Sequence, residues 1–296
     1  MRALHFRDGM KLCVMGREPW LKCLRQTLRS LPWIVASVPG VALAQWVDNF
    51  DTINPAWVTD RYEPAGFQSV PFLGDNRLQI TIDQSGSSSN RPSGYSASLF
   101  NTQGRLRPVG STGAWSLSAE VYVAAAFDTS TGQLVRTDLW ARTGATSTTG
   151  DYAIIGITNA SPTDPLNPDA LDRGFHFQVF DGTQADPTGW FDAGVPADFA
   201  FDAWHTLAET SNGTTVNYLL DGVVVYTDPA ADGADLQTAF IQAYNFGQTD
   251  GNGLNSYSVY WDNAAAAVPE PASYALCGGA AVLGLAWVRR FGSRRE

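Results

Sequence analysis

The chain has 296 residues, 12% of them aromatic and 16% charged, with a formal net charge of −10. That mixture argues against a disordered polyanion and fits one large β domain with half-buried faces. Residues 45–267 hold eight Arg, no Lys and twenty-five acids, a net of −17. A body so negative repels phosphate backbones, so nucleic acid is not an expected partner and hard cations are a natural one.

Residues 1–44 carry a net of +5, and residues 268–296 a net of +2. Cys13, Cys23 and Cys277 all lie in these terminal segments, as do both lysines and all three methionines. The body therefore has no disulfide, no thiolate metal site and no Schiff-base lysine.

The N-terminus has the layout of an export signal. Arg25 and Arg29 precede an apolar run over 31–44, and Ala42 and Ala44 stand at the −3 and −1 positions of an A-x-A cleavage site. Cleavage by signal peptidase then makes Gln45 the first residue of the mature chain. Pro32, Pro39 and Gly40 argue against a spanning helix here.

The body shows short runs of alternating apolar and polar residues, punctuated by Gly, Asn, Asp, Ser and Pro. This predicts strands at 77–82, 95–100, 115–123, 135–142, 152–158, 175–180, 203–210, 215–220, 223–227, 238–246 and 257–262. So many antiparallel strands at this spacing predict two packed sheets. Asn212-Gly213 and Asp221-Gly222 supply the positive φ that two-residue hairpin turns need, which makes 204–227 a three-stranded meander. With Trp204 and Tyr218, this segment resembles the meander of concanavalin A-like jelly rolls, including laminin-G-like domains. Asp48-Asn-Phe-Asp51 opens the body and Tyr260-Trp-Asp-Asn263 closes it, as in jelly rolls whose first and last strands lie side by side.

Three groups of residues are candidates for function. On 115–123 the polar face carries Glu120 and Tyr122; on 135–142 it carries Arg136, Asp138 and Trp140; on 175–180 it carries His176 and Gln178. Gathered in one groove, they would mix aromatic plates with hydrogen-bonding groups, the combination that sugars take. Acid- and Asn-rich loops at 164–172, 228–235 and 250–255 offer oxygens for Ca²⁺, and Asp262 at the end of the last predicted strand is the chosen ligand. The resemblance also brings in laminarinase-type hydrolases, whose Glu-x-Asp-x-x-Glu run sets a nucleophile and an acid on one strand. The body has only Glu63, Glu120 and Glu209, and none lies in such a run.

The C-terminus has three parts: Val268-Pro269-Glu270-Pro271 after a small-residue spacer at 264–267, an apolar stretch over 272–288, and the basic end Arg289, Arg290, Arg294 and Arg295. As a helix, the apolar stretch reaches roughly 25 Å, enough for a thin bilayer, with the arginines held on the cytoplasmic side. This order resembles the PEP-CTERM sorting signal of Gram-negative bacteria. The resemblance implies recognition of Pro269, Glu270 and Pro271 by an exosortase, removal of the helix and tail, and an exopolysaccharide setting.

The expected organisation is thus a signal peptide over 1–44, an all-β jelly-roll sandwich over 45–267, and a sorting signal with a single transmembrane helix over 268–296. The expected function is a non-enzymatic surface or extracellular-matrix protein, carbohydrate-binding in a biofilm context. The alternatives are a polysaccharide hydrolase or lyase on the same scaffold, and a Ca²⁺-dependent adhesin.

Overall fold

The computed structural model describes residues 43–86, 101–144, 151–162, 172–181, 189–229, 235–247 and 256–268. The chain divides into residues 1–40 and 41–296, and every described residue belongs to the second unit. Ala42, the predicted strand at 95–100, and Pro269, Glu270 and Pro271 with the stretch after them lie outside the described residues. Among the described residues, no helix is long and apolar enough to cross a membrane.

Fifteen strands are described: β1 (Leu43–Asp48), β2 (Val58–Thr59), β3 (Gly66–Phe72), β4 (Asp75–Ile82), β5 (Thr102–Pro108), β6 (Trp115–Val123), β7 (Arg136–Thr143), β8 (Tyr152–Thr158), β9 (His176–Asp181), β10 (Trp190–Gly194), β11 (Ala203–Ser211), β12 (Val216–Leu220), β13 (Val223–Asp228), β14 (Leu236–Tyr244) and β15 (Tyr257–Val268). They form two antiparallel sheets in a jelly-roll-like sandwich. The first runs β13-β12-β11-β6-β15-β4-β3, with β1 also on β15, and the second runs β10-β9-β8-β7-β14-β5-β2.

The alternation read from the sequence decides which side chains enter the core. On β6, Leu117, Ala119 and Val121 point inward, and Ser116, Ser118, Glu120 and Tyr122 point out. Against them from the second sheet come Leu139, Ala141, Ile155, Ile157 and Ile241, all in one cluster. Each such aliphatic side chain contributes roughly 1.5–3 kcal/mol by leaving water. Trp261 is fully buried at the centre of β15, and its indole N–H donates to Thr137 Oγ1 at 2.9 Å across the sheets.

Three expectations change in detail. The small-residue spacer at 264–267 is strand: Ala264, Ala265, Ala266 and Ala267 pair with β1, whose residues Ala44 and Trp46 flank a bulge. Ala is a poor strand former, but Ala264 and Ala266 are wholly buried, and burial outweighs propensity. Asp221-Gly222 makes the two-residue turn, with φ of 49° and 79°, whereas Asn212-Gly213 sits in a four-residue loop because Ser211 pairs with Val216. There Asn212 Oδ1 accepts from the amides of Thr214 and Thr215 and holds the longer loop. Strands β1, β2, β3, β5 and β10 were absent from the prediction; Pro71 in β3, Gly104 and Pro108 in β5 and Gly194 in β10 hide the alternation.

Candidate functional site: the outer face of the second sheet

Strand register sets three rows of side chains on the face of the second sheet that points away from the core. Gly104, Gln242, Asp138, Gly156, Gln178 and Asp192 are successive register partners across β5, β14, β7, β8, β9 and β10. One step along, the row is Leu106, Phe240, Trp140, Ile154, Phe180 and Trp190. On the other side, Arg136, Thr158 and His176 are partners across β7, β8 and β9. A polar row therefore lies beside an aromatic one. Trp140, Ile154 and Phe240 form a small cluster of their own, separate from the main core.

The polar row is wired together. Arg136 Nε donates to Asp138 Oδ2 at 2.8 Å, and Gln178 Nε2 donates to Asp138 Oδ1 at 2.9 Å. Both carboxylate oxygens are thus taken, and Asp138 acts as a fixed holder of its two neighbours. Gln242 Nε2 donates to Asp60 Oδ2 at 2.7 Å, from the loop after β2. These groups are hidden from solvent: Arg136 is 3% exposed, Asp138 2% and Gln242 1%.

Two glycines make this wiring possible. A Cβ on Gly156 would collide with Asp138 Oδ1 and stand 2.5 Å from Thr137 O. A Cβ on Gly104 would collide with Ile241 O and stand 2.7 Å from the Gln242 Cα. The missing side chains let the polar groups lie down along the sheet.

Cations cover the rings. The Arg61 guanidinium lies 4.8 Å from the Trp140 ring and 5.7 Å from Tyr152. That of Arg136 lies 4.1 Å from Trp190 and 5.2 Å from Tyr244. Such contacts hold a guanidinium in place while leaving N–H groups to spare. Among the described residues, three buried polar atoms on this face have no hydrogen-bond partner: Trp140 Nε1, Gln242 Oε1 and Arg142 Nε. A buried donor or acceptor without a partner costs about 1–3 kcal/mol, so these three atoms can still take hydrogen bonds.

Of the seven groove candidates, Arg136, Asp138, Trp140, His176 and Gln178 come together here. Glu120 and Tyr122 do not, because β6 belongs to the first sheet and shows them on the opposite side of the sandwich. There Glu120 accepts from Asn263 Nδ2 at 2.9 Å, and Tyr122 packs edge-on against Phe72 and Trp204. Gln242 and Tyr244 were legible, since alternation along 238–246 puts them on one face, but Asp60 and Arg61 sit in a loop that carries no pattern.

Asp262 lies elsewhere too, 2% exposed, with Arg77 Nη1 at 2.9 Å and Asn263 Nδ2 at 3.1 Å. Burial raises its pKa, against the pull of the Asn263 amide and the Arg77 charge. Arg77 and Asn263 thus meet Oδ2, and Oδ1 has no hydrogen-bond partner among the described residues. Among the described residues, no group of three or more His, Cys, Asp or Glu is placed to hold a metal ion. The three acid-rich loops fall mostly outside the described residues.

The fold and face together define a class, a jelly-roll-like β-sandwich with a lined outer sheet. No family model matches the sequence, and no curated protein matches it either. Solved structures do share the fold. A sialidase matches 78% of this chain at 10% identity with a TM-score of 0.47, and the match spans only 19% of the sialidase. A glycoside hydrolase family 16 endo-glucanase from Bacteroides ovatus matches over 75% of this chain and 99% of its own, at 13% identity and a TM-score of 0.47. A prokaryotic β-1,3-1,4-glucanase derived from a mouse hindgut metagenome matches over 76% and 99%, at 13% identity and a TM-score of 0.40. These likenesses are of fold alone.

The expectation of a non-enzymatic body is corrected at this point. A sialidase and two glucanases are among the solved structures that resemble it in fold. The absence of the carboxylate run tests for a single hydrolase mechanism and is silent on the residues gathered on this face.

Proposed function

We propose that the chain is an exported polysaccharide-active enzyme whose substrate lies along the outer face of the second sheet. The observation that supports this best is the set of unpartnered polar atoms, Trp140 Nε1, Gln242 Oε1 and Arg142 Nε, beside the aromatic row. Sugar C–H faces stack on rings, and their hydroxyls both donate and accept, so one saccharide chain answers both needs. Asp138 holds Arg136 and Gln178 in place before any substrate arrives, and preorganised polar groups are what catalysis requires.

The export half of the proposal rests on the two terminal segments. The strand β15 runs to Val268, so Pro269-Glu270-Pro271 follows the body with no linker, and the prolines give the ladder a natural stop. An exosortase would meet the motif at the margin of a finished domain. Signal peptidase and exosortase are the processing partners, and an extracellular polysaccharide is the substrate.

The test is depolymerisation. The exported protein, purified from cells, is incubated with a panel of acidic and neutral polysaccharides, and chain length is followed by size-exclusion chromatography. Shortening of at least one polysaccharide, abolished by Arg136→Ala, is expected; an unchanged length for every polymer sinks the proposal. Intact mass of the same sample checks processing, with Gln45 first and the chain ending at the sorting motif.

A further inference from the structure

The acids on this face are ill suited to hydrolysis by a carboxylate pair. Asp138 has both oxygens engaged, by Arg136 and by Gln178. Asp60 accepts from Gln242 and has Arg61 Nη1 at 3.6 Å, and Asp192, exposed at the β10 end of the polar row, accepts from the Gly194 amide and stands three strands from Asp138. Among the described residues no Glu lies here: Glu209 points into the core, Glu120 is on the other sheet, and Glu63 pairs with Arg105. The two-carboxylate mechanism needs one free nucleophile or base and one free acid.

His176 is differently placed. Its Nδ1 stands 2.8 Å from Gly174 O, and a carbonyl only accepts, so in the neutral ring Nδ1 carries the hydrogen and Nε2 carries the lone pair. Nε2 has no partner among the described residues, and the ring is 6% exposed. This is the arrangement of a general base with its tautomer fixed by a backbone group.

Arg136 stands two strands from it in the same register row. The guanidinium starts on β7 and lies 4.1 Å from the Trp190 ring and 5.2 Å from the Tyr244 ring, on the face that also carries His176. Its Nε is tied to Asp138, which leaves the terminal nitrogens for a ligand. Arg61 and Arg142 share the face, so three of the eight arginines of a body with a net of −17 are gathered where the aromatic row lies.

A cation cluster, a free imidazole lone pair and no free carboxylate pair suit one reaction on a polysaccharide. We infer that this face cleaves uronate-bearing chains by β-elimination, with His176 as the base and Arg136 as the cation on the substrate carboxylate; this rests on the function proposed for the face. Neutralising the carboxylate acidifies the adjacent C–H. His176 Nε2 takes that proton, the C–H electron pair becomes a C=C bond, and the bond from the next carbon to the glycosidic oxygen breaks. The departing oxygen takes a proton from water, His176 returns its own to solvent, and nothing is oxidised or reduced.

The purified full chain is tested on polygalacturonate, alginate and a neutral β-glucan, with new reducing ends and ultraviolet absorbance of unsaturated uronate read in parallel. Equal growth of both signals on a polyuronate, and neither on the neutral glucan, is the expected result. His176→Gln should lower the elimination rate by at least about 100-fold, with the near-ultraviolet circular dichroism unchanged. Arg142→Ala, on the same face two residues beyond Trp140, should raise KM on the polyuronate and leave kcat alone. Reducing ends without absorbance would mean hydrolysis, which overturns the elimination and leaves the function proposed for the face. No cleavage of any of the three polymers would remove both, and full elimination by His176→Gln would remove the base.

Discussion

Arg136 and Asp138 stand side by side on β7, joined by a 2.8 Å hydrogen bond, and both are almost wholly withdrawn from water. Such a pair adds little net stability, because desolvation offsets the attraction, but breaking it leaves a charge buried alone. Asp138→Ala should therefore lower the unfolding free energy by about 3–5 kcal/mol. The double variant Arg136→Met with Asp138→Leu should recover most of that loss in urea unfolding. Polysaccharide cleavage should stay abolished in both. A double variant that regained cleavage would show the pair to be structural only.

Gly156 makes the pair possible, and its replacement should be felt in the same groups. Part of the collision made by Gly156→Ala is with the Thr137 carbonyl, which is backbone and cannot swing aside. The Asp138 carboxylate must then move off Gln178 and Arg136. A loss of about 1–3 kcal/mol is expected, together with a fall in cleavage rate. Gly174→Ala makes a control, since a Cβ there meets nothing within 4 Å, and its stability should stay within about 0.5 kcal/mol of the parent.

Much of this face was legible in the sequence, and the limit was sheet membership. Alternation on 135–142 and 175–180 put Arg136, Asp138 and Trp140, and His176 and Gln178, on outward faces, because a period of two is a local property. That Glu120 and Tyr122 would face the opposite way depends on β6 pairing with β11 and β15, contacts far away in sequence. Glu209 was equally opaque. On β11 it takes an inward place between Leu207 and Ser211, and nothing local shows that a carboxyl will be enclosed.

The first strand is held by a link between sheets that no motif announces. Asp48 Oδ2, at the end of β1, accepts from Arg107 Nη1 and from Trp57 Nε1, each at 2.9 Å. Arg107 in turn lies 4.2 Å from the Trp46 ring, so two residues of β1 grip one arginine of β5. Asp48→Ala should cost about 3–5 kcal/mol, as for other broken buried pairs. Hydrogen exchange should then quicken at Ala264, Ala265 and Ala266, the β1 partners on β15, before the rest of that strand. Uniform quickening along β15 would mean that β1 is no separate clasp.

Among the described residues, Glu209 is the one carboxyl at 0% exposure, enclosed between the sheets with neither oxygen in a hydrogen bond of good geometry. Burial pushes its pKa well above the usual carboxylate range, and the nearby Asp138 charge adds to the shift. The folded chain thus keeps this proton at a pH where the unfolded chain, with an ordinary value of about 4.3, has released it. Folding binds a proton, so this group's contribution falls as pH rises above the unfolded value. Glu209→Gln removes that dependence. The variant should gain on the parent steadily between about pH 5 and 7, and Glu209→Met should gain further by about 1–3 kcal/mol through removal of the buried polar atoms. Chemical denaturation at several pH values reads the difference directly; a gap between parent and Glu209→Gln that stays constant with pH would show the carboxyl to be ionised in the folded protein.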